Sequence, residues 1–191
     1  MGILDGLGSA LDSVKDAVRD VKQYVSDGDW GSAFKKIGEI CNGAIAEISK
    51  HADGVLKATN GLLGFAFDSI GEVVDSVKNA ARFVYDYIRE RPAECLEILA
   101  GFATAATMIA TGNIPGGAAI LIRTIAKVAW LRDEVATAKG VDLAKEYPIP
   151  HACVGLKDQF KARGAKNMKD IDAQYESWVR NMDPSIDMSG C

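Results

Sequence analysis

The chain has 191 residues, close to one average domain, and its 22 Lys and Arg stand against 26 Asp and Glu. No strong field of either sign would therefore draw it to nucleic acid or another polyanion. With 48% hydrophobic residues, 25% charged residues and 5 prolines it is excluded from the disordered and collagen-like classes, and its low aromatic content of 7% suits close-packed helices with small contact residues.

From the amino terminus, apolar residues fall at Leu4, Leu7, Leu11, Val14, Val18, Val21 and Val25, in alternating steps of three and four. This spacing predicts an amphipathic helix over 3–26. Ile3, Ala10, Ala17 and Tyr24 widen the stripe beyond a two-stranded coiled-coil seam, to a width that suits a bundle or a membrane interface. Ser26-Asp27-Gly28-Asp29 ends it as a turn. A half-exposed helix follows from Trp30 to about Lys50, with Phe34, Ile37, Ile40, Cys41, Ala44, Ile45 and Ile48 on one face.

The first pattern returns 63 residues later at Phe67, Ile70, Val74, Val77, Ala81, Val84 and Ile88, which predicts a second amphipathic helix over 66–91. Aligning 4–25 with 67–88 gives ten identities in 22 positions, including Asp12/Asp75, Ser13/Ser76, Val14/Val77, Lys15/Lys78 and Tyr24/Tyr87. Internal duplication is the natural reading, and the two copies are expected to pack by equivalent faces.

Between Glu97 and Arg123 lie 25 residues without a charge. The run is long enough to span a bilayer, but Gly112-Asn113-Ile114-Pro115-Gly116-Gly117 interrupts it with turn residues. A hairpin of two helices over 93–138, with arms 93–111 and 117–138, fits better than one straight span. Its candidate membrane-insertion residues are Ile98, Leu99, Phe102, Met108, Ile109, Ile114, Ile120, Leu121 and Ile122. A helix hydrophobic all round is also what the centre of a soluble bundle requires, and the small residues Ala103, Thr107 and Thr111 permit close helix contact in protein or lipid alike.

The layout of residues 1–138, a hydrophobic helical hairpin flanked by amphipathic helices, resembles the pore-forming domain of colicins. The likeness is one of architecture and implies a hairpin that inserts when the bundle opens. Arg123 and Lys127 depart from that pattern, because the family's second arm is more apolar; cations there are costly in lipid unless they snorkel to an interface.

Pro148 and Pro150 predict an extended connection over 139–154. Beyond it, 155–191 holds two short helices, one with Leu156 and Phe160 and one with Ile171, Tyr175, Trp178 and Met182. Lys157, Lys161, Arg163, Lys166 and Lys169 gather in the first as a solvated basic face.

The four cysteines, Cys41, Cys95, Cys153 and Cys191, lie far apart without a C-x-x-C pair, so no metal site is expected and free thiols are preferred to disulfides. No signal peptide or lipid anchor is expected: Gly6 occupies the position where a myristoylation motif wants Ser or Thr. The nearby His151 and Cys153 have poor spacing for a catalytic pair, and no phosphate loop or dinucleotide fingerprint is present. The expectation is thus an all-α protein of six or seven helices, without catalytic activity, cofactor or small-molecule substrate. It would be made as a soluble chain and act at a lipid bilayer, by pore formation or insertion. The alternative is a soluble interaction module that pairs with another helical chain or with itself.

Overall fold

A computed structural model describes residues 3–64 and 67–188, with side chains from Ser13 onward. Among the described residues the chain is all-helical, with eight helices: α1 (Ile3–Asp27), α2 (Trp30–Lys50), α3 (Ala52–Leu63), α4 (Ile70–Tyr87), α5 (Pro92–Ala110), α6 (Ile114–Lys139), α7 (His151–Ala162) and α8 (Met168–Met182). The apolar pair α5–α6 packs at the centre. Helices α1 and α2 lie on α5, whereas α3, α7 and α8 lie on α6, and α4 packs chiefly on α2.

The helix beyond the expected count is α3. Val55, Thr59 and Leu62 form its buried edge, but Gly54, Asn60 and Gly61 weaken the pattern in the sequence. Its end also moves the start of the second repeat copy. Asn60 accepts from the Phe67 backbone N–H at 2.9 Å and donates to the Phe67 carbonyl at 2.8 Å. Phe67 is therefore buried as an anchor in front of α4, outside the helix where the heptad places it.

Local capping explains the other shifted boundaries. The Asn113 side chain accepts from the Gly116 N–H at 3.1 Å, so α6 begins at Ile114, three residues before the expected 117. Pro150 takes the N-cap position of α7, so that helix starts inside the expected connection. The remainder of the connection is packed on the bundle: Leu143 and Tyr147 are buried, the Tyr147 hydroxyl donates to Asp86, and Arg132 donates to the Tyr147 carbonyl at 2.9 Å.

The two repeat copies turn equivalent positions inward but sink to different depths. In α4, Val73, Val77, Phe83 and Val84 are fully buried, with Ile88 immediately after it. In α1, Val21 is fully buried, but Val14, Ala17, Val18 and Val25 are half-buried. The side chains of Leu4, Leu7 and Leu11 lie outside the described residues. The cause is legible in the alignment: α4 has Phe83 and Tyr85 where α1 has Asp20 and Lys22. A second apolar edge lets α4 sink between its neighbours, and a charged edge keeps α1 at the surface.

Candidate membrane-active hairpin

Small residues bring α5 and α6 together. A Cβ on Gly101 would collide with the Thr124 side chain, and one on Gly117 would lie 2.9 Å from the Ala105 carbonyl oxygen. Both glycines therefore set the separation of the arms. Thr107 and Thr124 return their hydroxyl protons to carbonyls one turn back, Ala103 at 3.0 Å and Ile120 at 2.8 Å, so neither presents an unsatisfied donor to the core.

The structure brings Ile98, Leu99, Phe102, Met108, Ile109, Ile120, Leu121 and Ile122 into the buried centre, and Ile114 sits half-buried at the tip against Gly54 of α3. Both helices are long and apolar enough to cross a membrane, each with a mean hydropathy of 1.4 over its most apolar window, a property shared by core helices of soluble proteins. Their covers differ. That window of α5 is 56% buried against 83% for α6, so α5 is the arm with less protein over it.

The α6 side is held by polar contacts that the sequence pattern did not reveal. Lys127 binds Asp172 of α8 at 3.0 Å and Glu97 of α5 at 3.5 Å, while Arg123 reaches Asp172 at 3.4 Å. The Tyr175 hydroxyl donates to the Ala119 carbonyl. Lys157 of α7, expected in a solvated basic face, is instead buried between Asp133 and Asp158, while Lys161, Arg163, Lys166 and Lys169 are exposed. Burial works against its charge, but the two carboxylates outweigh this and hold its ammonium above the usual lysine range. At the tip, Asn113 donates to the Asp187 carbonyl at 2.9 Å, and Ile186 and Met188 pack on the core, so the carboxy-terminal strap covers the turn.

The α5 side is different. Helix α1 rests on it through its half-buried stripe, with Asp20 reaching Lys36 of α2 at 3.8 Å. A cleft of about 700 Å³ runs along one flank of α1 and one of about 460 Å³ along the other.

Cys41, Cys95 and Cys153 are free and buried, and burial pushes each thiol up to about 12. Cys153 is therefore held neutral beside an exposed His151, the reverse of an activated nucleophile. Among the described residues no three His, Cys, Asp or Glu side chains converge as a metal site. Comparison of the chain with protein-family models, characterised proteins and solved structures found no match.

Proposed function

We propose that the protein acts on lipid bilayers, with the α5–α6 hairpin entering the bilayer after α1 lifts from α5. The observation that carries this reading is the unequal cover of the hairpin. An apolar arm lies under an amphipathic helix whose own stripe is half-buried and flanked by clefts on both sides. Re-exposing the described apolar side chains of α1 costs about 5 kcal/mol, comparable to the stability of a small domain. Opening in water is therefore rare. A bilayer offsets the cost by taking both the hairpin and the α1 stripe.

Charge placement sets the depth of entry. The uncharged arms run from Ile98 to Ala110 and from Ile114 to Ile122. At 1.5 Å per residue they measure about 20 and 13 Å, against a hydrocarbon core of about 30 Å. Such a hairpin reaches the middle of the bilayer and leaves Glu97, Arg123 and Lys127 at the headgroup level. The Glu97–Lys127 pair joins the two arms and travels with them, whereas Arg123 leaves Asp172 behind and snorkels toward phosphate. Ile98, Leu99, Phe102, Met108, Ile109, Ile120, Leu121 and Ile122 enter hydrocarbon.

A soluble helical module is the second reading, favoured by the ion pairs that fasten α6 to α7 and α8. Dye release from phosphatidylcholine vesicles containing phosphatidylglycerol separates the two. Release together with co-sedimentation is expected for insertion; neither, across pH 4 to 8, returns the protein to the soluble class.

A further inference from the structure

We propose that the cleft between α1 and α5 is a binding site for a free single-chain anionic lipid of the fatty-acid type. The inference goes beyond bilayer insertion and needs no opening of the bundle. Val18 and Val25 of α1 and Leu96 and Ala100 of α5 supply apolar walls to the cleft of about 700 Å³, within the range that small-ligand sites occupy. Its α1 wall extends from Lys15 to Ser26, about 16 Å of helix.

The charges around it are segregated. At 100° per residue, Lys22, Lys15 and Arg19 fall within one narrow arc beside Val18, and the positions of Asp12, Asp16, Asp27 and Asp20 follow beyond Arg19, away from the apolar stripe. All three cations line the cleft. Lys15 and Lys22 make no ion pair among the described residues, and Arg19, 74% exposed, reaches Asp16 at 3.7 Å. Glu97, the acid in the lining, is engaged by Lys127 at 3.5 Å. An apolar trough with exposed cations along its α1 edge complements a hydrocarbon tail that ends in a carboxylate: the tail lies against Leu96 and Ala100, and the head meets Lys15, Arg19 and Lys22. A zwitterionic or cationic amphiphile matches the walls and fails at the edge.

The repeat shows that this edge is particular to the first copy. At the position of Lys22 the second copy has Tyr85, whose hydroxyl donates to the Phe34 carbonyl at 3.3 Å, and the counterpart of Arg19, Arg82, donates to the Glu146 carbonyl. Two of the three cations of the α1 edge thus have counterparts in α4 that are turned onto protein, whereas Lys78, the counterpart of Lys15, stays exposed.

The test is titration of the full chain with cis-parinaric acid, a fluorescent fatty acid, below its aggregation concentration. Fluorescence should rise saturably, dodecanoate should displace the probe, and dodecyltrimethylammonium should not. Lys15→Gln with Lys22→Gln, both exposed and without an ion pair among the described residues, should weaken binding by about ten-fold, and Ala100→Trp should fill the trough and abolish it. Circular dichroism confirms that each variant is folded. No saturable rise with the wild-type chain, or a rise that the double lysine variant leaves unchanged, overturns the proposal. Vesicle dye release is read separately. Probe binding without release leaves the groove standing and removes the insertion reading; release without probe binding does the opposite.

Discussion

Helices α1 and α4 share a heptad and nine identical residues, yet Val14 is half-buried where its counterpart Val77 is fully buried, and Ala17 is half-buried where Ala80 is buried. The stripe does not account for this difference, since both copies have it. The residues beside the stripe do. Phe83 of α4 stacks against Tyr87 and Tyr147 at centroid distances of 4.7 and 5.2 Å, whereas the aligned Asp20 of α1 lies near the surface and reaches Lys36. A heptad therefore specifies that a helix will lie on the bundle, and its flanking residues specify how deeply it sinks. In this chain the shallow copy covers the apolar arm α5.

The most damaging way to break the comparison is to give α4 the residue of α1. Phe83→Asp places a carboxylate in a fully buried aromatic site and should cost about 5 kcal/mol, enough to unfold most of the population in water. The reciprocal Asp20→Phe should change stability by less than about 0.5 kcal/mol, as for other surface sites. Urea denaturation midpoints for both variants check the pair; equal effects would mean that the copies are equally buried.

Truncation within the stripe sharpens the same contrast on a smaller scale. Val77→Ala should cost about 2 kcal/mol, and Val14→Ala less than about 1 kcal/mol, because part of that side chain already meets water. Native-state hydrogen exchange should then show α1 amides between Ser13 and Asp27 opening at lower free energy than those of α4.

Alkali should act on the deep core. The thiols of Cys41, Cys95 and Cys153 are raised by burial from 9.0 to about 12. Because the folded values lie above the unfolded ones, the unfolded chain loses these protons first as pH rises. Their contribution is whole below pH 9 and falls away between pH 9 and 12. The melting temperature should decline through that window, with a shallower slope in Cys41→Ala. In a Cys191→Ser background, thiol-reactive dye at pH 8 should label the folded protein slowly.

The smallest effect is expected from Lys36→Ala. The Asp20–Lys36 contact is 3.8 Å long and both side chains are partly exposed, so its loss should move the urea midpoint by less than about 0.5 kcal/mol. A larger shift would mean that charge, and not the part-buried stripe, holds α1 down.

Periodicity made the helical class, both repeat copies and the central hairpin legible, because each depends on residues a few positions apart. The features that escaped it depend on distant partners. Lys127 and Arg123 become tolerable inside the fold through Asp172, which lies 45 residues beyond Lys127 and belongs to α8. The burial of Lys157 rests on Asp133 of α6, and the anchoring of Phe67 rests on the side chain of Asn60. Helix α3 was obscured by its glycines. The unequal depth of the two copies did leave a local trace, Phe83 and Tyr85 aligned with Asp20 and Lys22, which a comparison of identities passes over.

The most direct test of the releasable cover and the shallow hairpin is a depth measurement at the tip. Ala110 is exposed at the end of α5, and the buried native thiols should leave Ala110→Cys, in the Cys191→Ser background, as the site that takes a nitroxide. In water the label should be open to a polar relaxation agent. On phosphatidylglycerol-containing vesicles it should become accessible to oxygen at about 13–20 Å below the headgroups, near the bilayer centre. A label that stays water-accessible on vesicles, or one that crosses to the far headgroup layer, would contradict the account.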